Sequence, residues 1–125
     1  MRYFLILNNE EPNEGELDPE MVKSFQAAFA RYAEALSEAD VLVAAEILQP
    51  TSASTTVTCR SGATQVQDGP FADTKEKLAG VFVLDVANLD AALAWAEKCP
   101  GVQYGVIEVR PSAVHFADGQ WQQSV

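Results

Sequence analysis

The chain has 125 residues, of which 48% are hydrophobic and 21% are charged, and its formal net charge at pH 7 is −10. This length suits one domain, and the composition is typical of a soluble globular protein rather than of a disordered chain. Because no cluster of Lys or Arg offsets the negative charge, we expect no nucleic-acid partner. No apolar run approaches the roughly 18 residues of a membrane span, which predicts no membrane partner and a cytoplasmic location.

The first part of the sequence predicts a strand, a helix and a second strand. Arg2 to Asn8 is aromatic and branched with apolar residues on both faces, as in a strand that is covered on both sides. Asp18-Pro19 has the residue types of an N-cap and a first helical position, and the apolar stripe that follows predicts a helix ending near Ala39. Val41 to Leu48 then predicts a strand.

A β-hairpin is predicted next, because a β-branched run is followed by a glycine turn. Thr55 to Arg60 and Thr64 to Gln67 flank Ser61-Gly62-Ala63, and both strands are short and polar. A loop from Asp68 to Lys77 leads to a predicted strand at Val81 to Val86.

The last part predicts a helix, a strand and a tail. Asn88 is a candidate N-cap for a second helix, which Pro100-Gly101 would stop. Tyr104 to Arg110 predicts the final strand, and we interpret the polar segment from residue 113 to residue 125 as a mobile tail behind a domain of residues 1 to 112.

This order of elements predicts an α+β fold, a ferredoxin-like split βαβ arrangement with an inserted β-hairpin. Two helices can cover only one side of the sheet. The apolar residues on the other side need a partner, which a second copy of the chain would supply by packing sheet against sheet. We therefore expect a homodimer.

The loop from Gln67 to Lys77 concentrates residue types that suit a binding site. Its Asp68-Gly69-Pro70-Phe71 segment combines a carboxylate and an aromatic ring with two residues that fix the backbone. Asp68 is the candidate acid/base or polar anchor, and Phe71 is a candidate wall of a pocket. The alternative is a tight turn in which Asp68 accepts backbone N–H groups and Phe71 fills the core.

Other residues could serve either a functional or a purely structural role. Lys75 could contact an anionic ligand or be a solvated side chain, and Asp73-Thr74 could cap a short helical turn. Glu46 is a candidate base if it is buried in its apolar strand, and otherwise it points outward at the strand end.

The final strand offers a second group of candidates. Tyr104, Glu108 and Arg110 share one face and could bind a polar ligand beside an aromatic wall. A cross-strand salt bridge would explain the two charged residues equally well.

Metal and cofactor chemistry finds little support in the sequence. His115 is the only histidine and falls in the predicted tail, while Cys59 and Cys99 form no Cys-x-x-Cys pair and are expected to be buried thiols. Glycine-rich phosphate loops are absent, so we expect neither a metal nor a cofactor.

Several segments resemble the DGPF branch of the YCII-related family. They include Val66 to Glu76 with its Asp-Gly-Pro-Phe motif, Gly80 to Leu84, Leu89 to Trp95 and the ending Val106 to Pro111. The resemblance implies a ferredoxin-like chain that dimerises into an α+β barrel. It also implies enzyme activity with a His-Asp pair in some relatives, one of which is a dehalogenating, lactone-processing enzyme. In those branches the histidine lies near the first helix, whereas Asp18 to Leu36 contains none.

Two functional hypotheses follow. The first is a small-molecule-binding or enzyme-like protein with a pocket near the Asp68 to Phe71 loop, where Lys75 or Arg110 binds a ligand carboxylate. The second is a non-enzymatic regulatory module, because the resemblance implies association with sigma factors of the extracytoplasmic-function class. An acidic chain of that kind would contact the protein partner rather than DNA.

Overall fold

The computed structural model describes residues 1–13 and 15–125, and these form eight strands and two α-helices with two short 3₁₀ turns. In chain order, the elements are β1 (Arg2–Asn9), α1 (Pro19–Glu38), β2 (Leu42–Ile47), a 3₁₀ turn (Thr51–Ala53), β3 (Thr55–Arg60), β4 (Ala63–Asp68), β5 (Lys77–Asp85), α2 (Leu89–Lys98), a 3₁₀ turn (Pro100–Gln103), β6 (Val106–Pro111), β7 (Val114–Ala117) and β8 (Gln120–Gln123).

The central sheet has the order β2-β5-β1-β6, and every neighbouring pair in it is antiparallel. In this order the first and third long strands are central, which is the ferredoxin-like arrangement that the sequence predicts. Leu5 lies opposite Phe82 on β5 and opposite Val109 on β6, so β1 forms the middle of the fold.

One face of this sheet and both helices enclose the core. Leu5, Leu36 and Leu84 are fully buried there, and helix α1 lies over β5 with the Phe29 and Phe82 rings stacked 6.3 Å apart. The opposite face carries half-buried apolar side chains of β1 and β5, including Phe4, Ile6 and Val81.

Both helices begin where the sequence predicts. The Asp18 carboxylate accepts a hydrogen bond from the Met21 N–H at 2.8 Å, and the Asn88 side-chain oxygen accepts one from the Ala91 N–H at 2.9 Å. These caps satisfy N–H groups that the first helical turn leaves without an intrahelical partner. The Tyr32 hydroxyl of α1 donates to the Trp95 carbonyl of α2 at 2.7 Å and ties the helices together.

Strands β3 and β4 form a separate two-stranded sheet, as predicted. Its turn residues Ser61 and Gly62 have φ values of 54° and 77°, which matches the left-handed backbone of a two-residue hairpin turn. Val57 and Val66 lie opposite each other on this hairpin and are exposed.

The expectation of a mobile tail is wrong. Strands β7 and β8 form a hairpin around Asp118-Gly119, with both turn residues at positive φ. The Ser124 carbonyl accepts a hydrogen bond from the Arg2 N–H at 3.0 Å, and the buried Ser124 hydroxyl lies 2.8 Å from His115 Nδ1. The Arg2–Ser124 bond attaches this C-terminal segment to the start of β1, whereas the Ser124–His115 contact lies within the segment.

Other expectations also differ from the structure. Cys59 is exposed on the polar strand β3, and only Cys99 of the two thiols is buried. Strand β5 begins at Lys77 rather than at Val81, because its first residues pair with the end of β1. Residues Asp73 and Thr74 lie in irregular chain and form no helical turn. Among the described residues, no helix is long and apolar enough to cross a membrane.

Candidate functional site

The Asp68 to Phe71 segment is a rigid turn at the end of the β3–β4 hairpin. Gly69 has a φ of +98°, a conformation that favours glycine. Its N–H donates to the Ser54 carbonyl at 2.8 Å, and its carbonyl accepts from the Thr56 hydroxyl at 2.7 Å. The glycine therefore fixes the direction of the chain, as the sequence suggests, while the Asp68 side chain stays exposed.

A small polar depression lies beside this turn. Its volume is about 240 Å³, and we call it the hairpin depression. The residues that line it are Thr56, Thr58, Arg60, Gln65, Gln67, Asp68, Gly69, Pro70 and Phe71. The Arg60 guanidinium lies 5.6 Å from the centre of the Phe71 ring, a cation–π contact. Phe71 is 73% exposed, so the alternative in which it fills the core is wrong.

The other predicted site residues do not meet at this depression. Lys75 pairs with Glu10 at 3.2 Å, and both side chains are exposed. Glu108 and Arg110 form a 3.0 Å salt bridge with each other along β6, so the two residues pair within one strand and not across strands as the structural alternative had it.

Two more candidates lie elsewhere in the fold. Tyr104 is on the loop before β6 and packs against Phe25 of α1, with ring centres 5.2 Å apart. Glu46 is exposed on β2, in line with the outward-pointing alternative.

A larger cleft lies between the N-terminal half of α1 and the ends of β1, β2 and β5. Its volume is about 760 Å³, within the range of small-molecule sites, and we call it the helix cleft. Its lining comprises Leu7, Asn8, Asn9, Glu10, Glu11, Pro12, Glu16, Leu17, Phe25, Gln26, Phe29, Ile47, Leu48, Gln49, Pro50, Lys77, Leu78, Ala79, Gly101 and Tyr104. Most of these side chains are apolar.

The helix cleft exists because the sheet and α2 bury only the second half of the apolar stripe on α1. Tyr32 and Leu36, in the second half of the helix, are buried, whereas Phe25 and Phe29 are only half-buried. The opposite wall is held by the Leu48 N–H, which donates to the Ala79 carbonyl at 2.8 Å. At Gly80 an added Cβ would lie 2.7 Å from the Glu46 carbonyl oxygen, so only glycine lets β2 approach β5 this closely.

The aromatic lining of the helix cleft includes one phenol, that of Tyr104. Burial, with a smaller contribution from Cys99, raises the pKa of the Tyr104 hydroxyl above its ordinary value of 10.0. The phenol is therefore neutral at pH 7 and can donate one hydrogen bond.

Charged groups also line or adjoin the helix cleft. Glu11 accepts the Thr51 N–H through both carboxylate oxygens, at 3.0 and 3.2 Å, and Glu16 accepts the Asn13 side-chain amide at 2.7 Å. Lys77 forms a 2.9 Å salt bridge with Asp73. This hydrogen bond and charge lower the pKa of the Asp73 carboxyl.

The sequence patterns do not predict the helix cleft, although one signal was present. The apolar stripe of α1 begins at Met21, but its buried residues, Tyr32 and Leu36, both lie in the second half of the helix, so the first half of the stripe is left without cover. Which segments face its free part depends on contacts between residues far apart in the chain, such as Phe25 with Tyr104.

Metal-ligating side chains do not converge in this fold. Within residues 1–13 and 15–125, no three His, Cys, Asp or Glu side chains are placed to hold a metal ion. His115 contacts Ser124 on the C-terminal hairpin and lines neither cavity.

Comparison with known proteins gives two matches. The YCII-related domain matches residues 1–113 of this chain. A second match is an uncharacterised protein of Rhizobium meliloti (strain 1021), which is 35% identical over 121 residues; these cover 92% of this chain and 94% of that protein. The two matches support the family across the fold and leave assignment to the DGPF branch a prediction.

Proposed function

The chain belongs to the YCII-related family, and from this premise we propose that it is a small-molecule-binding protein whose ligand occupies the helix cleft. The observation that carries the proposal is a concavity of about 760 Å³ that combines an apolar lining with a few polar groups. Such a combination is typical of ligand sites, in which apolar contacts supply affinity and polar groups fix orientation.

Exposed apolar surface supports this proposal. Five large apolar or aromatic side chains in the lining are each more than a third exposed: Leu17, Ile47, Leu48, Leu78 and Tyr104. A ligand in the cleft would remove this surface from water, at roughly 25 cal/mol for each Å² of apolar area. The binding free energy would come mainly from this burial.

A neutral apolar dye, such as N-phenylnaphthylamine, tests the proposal by fluorescence titration. Gln26 is exposed on α1 and lines the cleft, so Gln26→Trp would fill part of it without entering the core. Ala27 is exposed on the same helix and does not line the cleft, which makes Ala27→Trp the matched control. We expect Gln26→Trp to weaken dye binding by on the order of tenfold, about 1.4 kcal/mol, and Ala27→Trp to leave it unchanged.

Absence of saturable dye binding to the wild-type protein would contradict the proposal. Equal binding by the two tryptophan variants would show that the dye sits elsewhere. Circular dichroism of both variants is the control for correct folding.

The hairpin depression is a second candidate site, with Asp68 as acid/base or polar anchor and Phe71 as its wall. The fixed backbone at Gly69 and the Arg60–Phe71 contact support it. In a thermal-shift screen against metabolites, Asp68→Asn should abolish any response that depends on this site. An unchanged set of responses would contradict both roles of Asp68.

Assembly into a homodimer is the proposal that best accounts for the helix-free face of the sheet. Phe4, Ile6 and Val81 lie there at half burial, and a second copy packed sheet against sheet would cover them. Light scattering at micromolar concentration should give twice the mass of 13.5 kDa. A mass equal to one chain would contradict this assembly.

A regulatory module that binds an extracytoplasmic-function sigma factor is the alternative function. The net charge of −10 and the exposed Phe116–Trp121 pair, with ring centres 5.5 Å apart, favour a protein contact. A sigma factor encoded beside this gene should be retained by the protein at low salt, and Trp121→Ser should reduce retention. No retained complex at low salt would contradict this alternative, because steering by charge is strongest there.

A further inference from the structure

We infer that the ligand of the helix cleft is an apolar organic cation, such as an aryl or alkyl amine. This inference rests on the proposed function, because it assigns a chemical class to the ligand of the same cleft. The cavity itself defines the site, and the charges and aromatic faces along its wall select the ligand.

The described residues of the lining carry more acidic than basic side chains. Among the described residues, three carboxylates line the cleft, those of Glu10, Glu11 and Glu16, against one ammonium group, that of Lys77. Glu11 and Glu16 are held by a backbone N–H and a side-chain amide, which are neutral donors. These hydrogen bonds hold the carboxylates in place and, because both donors are neutral, add no positive charge beside them.

Lys77 in the lining and Lys75 beside it each pair with an acid. Lys77 forms its salt bridge with Asp73, and its side chain is only 16% exposed. Lys75 pairs with Glu10 on the rim. An anionic ligand would therefore have to compete with Asp73 for Lys77 and approach the like charges of Glu11 and Glu16 at the same time.

Aromatic rings also line the cleft and suit the same class of ligand. Phe25, Phe29 and Tyr104 present rings whose faces attract cations and whose area contacts apolar groups. The neutral Tyr104 phenol adds no charge of either sign. A ligand with an ammonium group near Glu11 and Glu16 and an apolar body against these rings would use both features of the lining.

The charge of the whole chain acts in the same direction. A net charge of −10 raises the local concentration of cations and lowers that of anions near the surface. This contribution depends on salt, whereas contacts inside the cleft are screened less.

Three probes with one apolar body test the inference: phenylbutylamine, which is cationic, phenylbutanol, which is neutral, and phenylbutyrate, which is anionic. Each competes with N-phenylnaphthylamine for the wild-type protein at low salt. We expect the amine to bind on the order of tenfold more tightly than the alcohol, and the carboxylate more weakly than either.

The double variant Glu11→Gln, Glu16→Gln tests whether the preference for the amine over the alcohol arises in the cleft. Glutamine retains an acceptor oxygen for the Thr51 N–H and for the Asn13 amide, so local structure is preserved. The control combines Glu34→Gln with Glu97→Gln, which removes the same charge from exposed residues outside the cleft. The cleft variant should bind amine and alcohol equally, and the control should keep the preference.

Each outcome separates this inference from the function on which it rests. If the dye and the alcohol bind but the amine has no advantage, or the carboxylate binds best, the cation inference is wrong and small-molecule binding stands. If the control variant loses the preference as fully as the cleft variant, the effect belongs to overall charge and the inference is also wrong. If the dye does not bind at all, both fail.

Discussion

The hairpin depression and the helix cleft differ in how each is built and in what the sequence reveals of it. The depression is formed by one continuous stretch, from Thr56 to Phe71, and is small and polar. The helix cleft draws on residues from Leu7 to Tyr104, has about 760 Å³ against about 240 Å³, and is mostly apolar. A dense local motif therefore marks a rigid turn here, whereas the larger concavity arises from contacts between distant segments.

The largest expected contrast between the two regions is in stability. Leu84 is fully buried under the helices, and Leu84→Ala should lower the free energy of unfolding by about 2 to 5 kcal/mol because it leaves a cavity. Phe71 is 73% exposed beside the hairpin depression, and Phe71→Ala should cost less than about 1 kcal/mol. Urea unfolding of both variants measures this, and a Phe71→Ala cost as large as that of Leu84→Ala would show that Phe71 packs in an interface.

Two glycine substitutions, one in each region, should differ by a smaller amount in their effect on stability. Gly69→Ala places a side chain at a φ of +98° and should cost about 1 to 2 kcal/mol. An added Cβ at Gly101, on the helix cleft, would make ordinary contacts of 3.4 Å or more, so Gly101→Ala should change stability by less than about 1 kcal/mol. Thermal unfolding of the two variants would refute this ranking if Gly101→Ala were the more destabilised.

A smaller effect is expected from the hydrogen bond that ties the helices beside the cleft. Tyr32→Phe removes the donor to the Trp95 carbonyl and should cost about 1 kcal/mol, measured by urea unfolding at pH 7. Asp73→Asn, which removes a fully exposed carboxylate near the hairpin, is the comparison and should cost less than the tyrosine variant.

The same tyrosine predicts a pH dependence. Burial raises the pKa of the Tyr32 hydroxyl well above its ordinary value of 10.0, with a further contribution from Cys99. The unfolded chain therefore releases this proton at lower pH than the folded chain. The free energy of unfolding should be unaffected by this group below the ordinary pKa and should fall as pH rises through it. Tyr32→Phe should reduce that fall, and an identical alkaline decline in both proteins would contradict this origin.

The reactivity of the two thiols should differ between the exposed hairpin and the buried core. Cys59 is exposed on the hairpin, whereas Cys99 is buried under the helices, where burial raises the pKa of its thiol. A thiol reagent should therefore modify one cysteine per folded chain quickly and the second only in denaturant. Rapid modification of both in the folded protein would show that the core beside the helix cleft opens readily.

Local signals predict much of this fold, because they depend on neighbouring residues. Asp18-Pro19 and Asn88 mark the helix starts, and Ser61-Gly62 marks the first hairpin turn. Asp118-Gly119 is the same kind of signal, and it indicates the second hairpin in the segment that we expected to be mobile.

The candidate sites are less predictable than the elements. The position of Phe71 outside the core and the exposure of Cys59 depend on how the β3–β4 hairpin lies relative to the sheet. The helix cleft depends on Phe25 of α1, Ile47 of β2 and Tyr104 of the loop before β6 lining one cavity. No local sequence pattern predicts that these distant residues lie close together, although the apolar start of α1 does indicate that another segment or a ligand covers it.

A nitrogen–proton NMR titration with phenylbutylamine tests the central claim most directly, because every backbone amide reports separately. If the helix cleft binds the ligand, the amides of Gln26, Ala79 and Tyr104 should shift together in a saturable way, and those of Thr58 and Gly69 should stay in place. Saturable shifts confined to Thr58, Gly69 and their neighbours at the hairpin depression would contradict the account.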